Sequence, residues 1–289
     1  MNLELKGISK SYGNARVIDE INIEINNGIY ALLGHNGAGK STVIKILLGL
    51  LLQDKGKVIY NSKSNTKGSV YDYPLGYVPQ KGGLDELQTV RDFLTYVGCY
   101  KGMRIKEIER DINFFSDLFN FNKYLNVKIK KLSGGTKQKV KITQAFLNNP
   151  KLVVLDEPSV GLDIYERKKL KEFLSKYGEN NTVIISTHII SDIDYIANNI
   201  IILKNGKIII QGKTEDLINQ IPKNVYKIKG TEKQIDEFIS KNNVLVMNRS
   251  YENSNINVLR FMSERDFGID NITNVTFEDI YTYYQKVGG

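Results

Sequence analysis

"GHNGAGKST", residues 34 to 42, follows the pattern G-x-x-x-x-G-K-[ST] and lies between an apolar run, "IYALLG" (29 to 34), and "KSTVIKILLGL" (40 to 50). The first run is continuous and reads as a fully buried strand; the second repeats its apolar residues at helical spacing. Strand, glycine loop and helix in that order is the context in which this pattern holds a polyphosphate. Gly34, Gly37 and Gly39, with Asn36 and Ala38 between them, let backbone N–H groups close around phosphate oxygens, and the helix N-terminus adds a favourable field. Lys40 supplies a point charge for the outer phosphates. Ser41 and Thr42 follow, with the Ser41 hydroxyl expected to reach Mg²⁺. His35 occupies a variable position of the pattern and is given no role.

Working outward, "LVVLDEP" (152 to 158) supplies the complementary half of a nucleotide site. Its apolar residues make a buried strand that ends in Asp156, suited to the shell of a Mg²⁺ ion, and Glu157, suited to polarising a water. "VIISTH" ends another buried strand at His188, where an imidazole can contact a γ-phosphate or orient the attacking water. In isolation a histidine in the place of His188 is more often a satisfied polar residue, and Gln80 in "GYVPQKGG" reads as an ordinary loop glutamine. "KLSGGTKQK" (131 to 139) offers a second place for a phosphate, a serine and two glycines where a helix begins. One chain thus carries two phosphate cradles.

The remaining texture is that of a mixed α/β protein. "INIEI" (21 to 25) alternates as a half-buried strand, and 89 to 120 turns helical, with Phe93, Val97, Ile108, Ile112, Phe115 and Leu118 on helix stripes. A helix follows the double glycine and ends before Pro150. "KLVVLDEP" and "NTVIISTH" flank the helical "YERKKLKEFLSKYG", a strand, helix, strand unit, and Asn205-Gly206 between two apolar runs signals a tight hairpin. Beyond Pro222 the pattern becomes that of a small α+β appendix, with Thr231 and Gln234 in capping-box spacing.

Composition bounds the function. With 289 residues, 41% of them hydrophobic, the chain can bury a substantial core. Its longest apolar stretch, "VIKILLGLLL", is broken by Lys45 and falls short of the roughly 20 residues that cross a bilayer. "MNLELKG" does not have the character of a secretory leader, so cytoplasm is expected. The single cysteine, Cys99, reads as a reduced packing residue. A net charge of +8 would suit nucleic acid or an anionic membrane surface, but the lysines are scattered through most of the chain, which favours a solvated surface; no nucleic-acid partner is expected.

Tyr12 in "SKSYGN", the glycine loop, Gln80, "LSGGT", "LVVLDEP", "SVGLD" (159 to 163) and His188 stand in the order of the ABC transporter ATPase subunits, a resemblance covering roughly residues 1 to 220. It implies a P-loop NTPase core of the ABC ATPase type in residues 1 to 222, with a helical subdomain inserted at about 86 to 150 and an antiparallel β subdomain, followed by a small α+β domain over 223 to 289. By resemblance, Tyr12 stacks on adenine, Gln80 reads Mg²⁺ and γ-phosphate, Glu157 is the general base, His188 its switch, and Asp163 communicates between subunits. Ser133, Gly134 and Gly135 are expected to complete the site of a second copy packed head to tail, with ATP and Mg²⁺ as cofactors. Thr136 departs from the family's usual glutamine, which leaves that contact open.

The resemblance further implies a peripheral protein on the cytoplasmic face of the cell membrane, driving a permease that is a separate integral membrane chain. The short appendix, "GIYALLG" and "TFEDIY" resemble exporters of antibiotics, peptides, lipids or ions. A soluble ABC ATPase acting on ribosomes or DNA is the alternative; it usually pairs two ATPase units in one chain or carries long coiled coils, and neither is seen.

Overall fold

The computed structural model describes residues 2–61, 63–65, 75–221, 224–253, 255–267 and 273–287, and divides into two compact units, Met1–Gln211 and Gly212–Gly289. In the first unit, strands β1 (Leu3–Tyr12), β2 (Ala15–Ile25), β4 (Lys55–Tyr60) and β5 (Lys63–Asn65) form an antiparallel sheet in the order β2-β1-β4-β5. Ile21, Ile23 and Ile25 of β2 are buried while Asn22 and Glu24 are exposed, so the alternation in the sequence sets which face meets the core.

A second sheet has the order β10-β9-β3-β8-β7-β6, built from β3 (Gly28–Leu33), β6 (Leu75–Val78), β7 (Leu152–Asp156), β8 (Thr182–Ser186), β9 (Asn199–Lys204) and β10 (Lys207–Lys213). Strands β9, β3, β8, β7 and β6 are parallel. Every residue of β7 and of β8 is buried, which is what continuous apolar runs require when both faces of a parallel sheet are covered. Asn205 and Gly206, both at positive φ, turn β9 into β10 as a tight hairpin. Because β3 and β7 are parallel, the loop after each opens at the same end of the sheet, and that end gathers the phosphate loop and the Asp156-Glu157 pair.

The stretch expected as a helical insertion holds α2 (Val90–Tyr100), α3 (Ile105–Leu118) and α4 (Gly134–Phe146). Phe115 and Phe146 of these helices, with Phe119 just after α3, meet α5 (Ile164–Gly178) at Phe173, and Phe146 is edge-on to Phe173 at 4.8 Å and to Tyr177 at 4.9 Å. Cys99 is exposed, not packed: α2 turns its buried face through Val90, Phe93, Leu94 and Gly98, which leaves position 99 outward.

The second unit pairs β11 (Asn224–Gly230), β13 (Ile256–Ser263) and β12 (Leu245–Asn253) in an antiparallel sheet. Helix α7 (Glu232–Asn242) contacts β11 and β13, over a core of Tyr226, Ile235, Leu259 and Phe261. The sequence joint at Pro222 lies outside the described residues. The units divide earlier, at Gln211/Gly212, because α6 (Thr214–Asn219) packs on α8 (Phe277–Val287).

Candidate nucleotide site

The phosphate loop leads from β3 into α1 (Lys40–Leu47). Gly39, the N-cap of α1, has φ 107°, and a Cβ there would lie 2.6 Å from Ile18 Cδ1, so only glycine fits. Gly37, at φ 84°, meets nothing within 4 Å; its requirement is purely conformational. Lys40 is buried and folds back over the loop, donating from Nζ to the carbonyls of Gly34 at 2.6 Å and His35 at 3.2 Å. Burial pulls its pKa down, and the carboxylates of Glu157 and Asp156 work against that shift.

Asp156 ends β7, and its Oδ2 accepts from Ser41 Oγ at 3.3 Å. Burial raises its carboxyl pKa, while the hydroxyls of Ser186 and Ser41 pull it back. Glu157 follows at φ 52°, a left-handed conformation costly for a glutamate, and is 5% exposed. Its surroundings dictate that geometry: its N–H donates to Ser186 O at 2.8 Å, and its carboxylate receives Thr187 Oγ1 at 3.3 Å and His188 Nδ1 at 2.8 Å. Donation along this contact, from His188 to Glu157, needs the ring proton on Nδ1.

Asn36, Gly37, Gly39, Lys40, Ser41, Thr42, Gln80, Asp156 and Glu157, together with Val17, line one cavity of about 350 Å³. Residues separated by more than a hundred positions converge there. Ala38, within the loop, is fully buried, and Gly34 lies off the lining, its carbonyl accepting from Lys40. His188 is not part of the lining and reaches the cavity through Glu157. Tyr12 also lies off the lining, 50% exposed, with Lys10 Nζ 6.0 Å from its ring centroid.

A serine hydroxyl beside an aspartate carboxylate offers the oxygen donors a hard divalent cation takes, and Ser41 with Asp156 provides them. Among the described residues no group of three or more His, Cys, Asp or Glu could hold a metal by itself, so the fit is to a cation that shares its shell with phosphate oxygens and water.

Ser133, Gly134 and Gly135 are absent from this cavity. Ser133 caps α4, accepting from Thr136 N at 3.3 Å, and the hydroxyls of Ser133 and Thr136 are 2.9 Å apart. Thr136 therefore serves Ser133 itself. Ser133 and Gly134 are exposed, and a Cβ on Gly134 would meet nothing within 4 Å. On Gly135 it would lie 2.6 Å from the carbonyl oxygen of Gly161. Asp163 caps α5, exchanging hydrogen bonds with Glu166 in a capping box that sequence reading overlooked although the D-x-x-E spacing is visible.

The family model for ABC transporters matches residues 18–160. An uncharacterized ABC transporter ATP-binding protein of Methanocaldococcus jannaschii is 35% identical over 221 residues, 76% of this chain and 80% of the relative. The chain belongs to the ABC transporter ATP-binding family. The Nod factor export ATP-binding protein I of Sinorhizobium fredii is 33% identical over 79% of this chain and 68% of its own length. Among solved structures, an ATP-binding subunit of an ABC transporter superposes with TM-score 0.71 at 30% identity, covering 76% of this chain and 93% of that one. A dimeric ATP-binding cassette in a post-hydrolysis state, bound to ADP and Pi, superposes with TM-score 0.67 at 25% identity, over 73% of this chain and 98% of the cassette. This ABC subunit is accordingly an ATP-binding ATPase, and no described helix is long and apolar enough to cross a membrane.

Proposed function

We propose that this ABC ATPase hydrolyses Mg²⁺-ATP in a head-to-tail pair of like subunits and so drives a separate membrane permease. The observation that carries the reading is a division of labour: the 350 Å³ cavity holds Lys40, Ser41, Asp156 and Glu157, while Ser133 and Gly134 stand exposed and outside it. A helix N-terminus with free N–H groups favours an anion that is delivered to it, and a second copy would deliver one.

Within one site, the loop N–H groups and Lys40 hold the phosphates. Lys40 would exchange the carbonyls of Gly34 and His35 for phosphate oxygens, gaining charge-assisted bonds. Ser41 and Asp156, with Gln80 beside them, are the groups for Mg²⁺, which when bound neutralises charge on the phosphates. Glu157 takes the proton of the attacking water, and the bond between the γ-phosphorus and the bridging oxygen breaks to leave ADP and phosphate. His188 orients that carboxylate through Nδ1, and donation from Nε2 to a γ-phosphate oxygen then needs the doubly protonated ring. Tyr12 is given the adenine-stacking role and Asp163 the contact to the second subunit.

Placement at the cytoplasmic face of the membrane follows from the permease. Export is the favoured direction, supported by likeness to ATP-binding proteins named for Nod factor export. Glu157→Gln tests the reading: it should retain ATP affinity, lower turnover by roughly 10²- to 10⁴-fold, and accumulate a dimer when ATP is added. Near-normal phosphate release by this variant removes Glu157 from the chemistry. Copurification of the chain with ribosomes or DNA in place of an integral membrane protein removes the permease.

A further inference from the structure

Asp192 is a buried acid that the nucleotide chemistry leaves unused. It is 8% exposed, ends a short 3-10 turn (Ile190–Asp192) just beyond His188, and does not line the nucleotide cavity. A carboxylate taken from water needs partners, and both of its partners lie on one neighbouring segment. Ser159, 2% exposed, donates its hydroxyl to Asp192 Oδ2. Arg167 NH1 stands 3.6 Å from Oδ1, and the same guanidinium donates from Nε to Leu162 O at 3.1 Å. Asp192 therefore grips the loop from Pro158 to Asp163 at two points, directly through Ser159 and through Arg167 at Leu162.

The opposite side of that loop lies against the helix that carries the exposed serine and glycine. Gln138 of α4 donates to Pro158 O at 2.9 Å, and Gly161 O approaches Gly135 too closely for any Cβ. Lys139, also buried in α4, pairs with Glu166, whose other oxygen accepts from Asp163 N at 3.1 Å. The loop begins at the residue after Glu157, whose left-handed backbone is held only by its surroundings.

We infer that Asp192 is a positioning residue for ATP hydrolysis: by clamping Ser159 and Arg167 it holds the 158–163 loop against α4, and so keeps Glu157 in register with the chain's own Ser133 and Gly134. The inference rests on the reading of Glu157 and of the exposed cradle given above. Asp192 touches no nucleotide; its effect runs through the loop, and loss of the clamp lets Glu157 relax from the geometry that the attack on water requires. Misplacement of a reacting group by about 1 Å is enough to cost on the order of a hundredfold in rate.

The test uses the full chain, steady-state phosphate release with Mg²⁺-ATP, and calorimetric ATP binding. Asp192→Ala and Ser159→Ala should each lower kcat about tenfold, a change of ~1.4 kcal/mol in the barrier, with ATP affinity unchanged within about twofold since the phosphate loop is untouched. The double variant should be no slower than Asp192→Ala, because Asp192→Ala already removes the one contact that Ser159→Ala removes. Asp192→Asn, which keeps an oxygen for the Ser159 hydroxyl, should recover most of the rate. A folded Asp192→Ala with wild-type kcat overturns the clamp, as does a matching loss of ATP affinity or a double variant showing the product of both losses. Should Asp192→Ala not fold, Ser159→Ala decides, and wild-type kcat there overturns it equally. Glu157→Gln run alongside keeps the two readings apart: wild-type turnover in that variant sinks the role of Glu157, whereas wild-type turnover in the Asp192 and Ser159 variants sinks only the clamp.

Discussion

Gly134 and Gly135 are neighbours with the same letter and opposite constraints. A methyl on Gly135 meets the Gly161 carbonyl at 2.6 Å, so Gly135→Ala must push the 158–163 loop away. Gly134 has open space and lies in the first turn of α4, where alanine is the better helix former by roughly 0.5–1 kcal/mol. Gly134→Ala should therefore fold with an unchanged or slightly raised melting temperature and, under the proposed head-to-tail pairing, still lose ATPase activity, because the methyl would stand in the approach of the second copy's phosphate. Full activity in Gly134→Ala would leave that exposed position without a ligand to accommodate. Gly135→Ala should lower both the melting temperature and the activity.

Among the elements, α4 has a lysine side chain bonded to the carbonyls at its far end. Lys101, following α2, donates from Nζ to the carbonyls of Gln144 at 2.8 Å, Ala145 at 3.1 Å and Leu147 at 3.1 Å. These are acceptors that a helix C-terminus leaves unpaired, and a cation there also meets the negative end of the helix dipole. Burial lowers the Lys101 pKa to about 8, so at neutral pH the ammonium is the donor. Lys101→Met should cost about 1–3 kcal/mol in chemical denaturation, with amide exchange rising first over 144–147. A comparable device secures α8 in the second unit. Arg260 Nε reaches both oxygens of Asp279 at 3.0 and 3.1 Å, while Asp279, 1% exposed, also accepts from Thr276 N at 2.8 Å. Asp279→Ala leaves a guanidinium without its counter-charge and should destabilise the unit by about 3–5 kcal/mol. ATP affinity, measured by calorimetry, should not move, since every residue of the nucleotide cavity belongs to the first unit.

At the scale of the whole molecule, the two cradles make one assembly-level prediction. Lys40→Ala spoils a chain's own phosphate loop, and Gly134→Asp sets a carboxylate where the other copy's phosphate would dock. Each variant alone should be nearly inactive, because both sites of its dimer are damaged. Mixed, the phosphate loop of the Gly134→Asp chain faces the intact serine and glycines of the Lys40→Ala chain, and one whole site returns. Partial recovery of ATPase activity is the expected outcome, or recovery of ATP-dependent dimers if turnover needs both sites. Two folded, associating variants that recover neither on mixing would assign Ser133 and Gly134 to their own chain.

Much of this was legible without coordinates. The phosphate loop announces itself because its chemistry is local: backbone N–H groups, a helix end and Lys40 lie within nine consecutive residues, and continuous apolar runs at β3, β7 and β8 signal strands buried on both faces. The capping box at Thr231 and the Asn205-Gly206 hairpin are equally short-range, and both are present in the structure. What sequence could not supply is whatever depends on residues brought together from afar. Cys99 turns outward because the tertiary contacts of α2 chose its other face. The second unit begins before the proline joint because α6 finds α8 some sixty residues on, a long-range packing choice that no local break in composition records. The grip of Asp192 on Ser159, and of Lys101 on the end of α4, joins residues whose types are commonplace and whose spacing follows no motif. Local hydrogen bonding and periodicity determined the elements and the cradle; burial of charge and the meeting of distant side chains decided how firmly Glu157 is held.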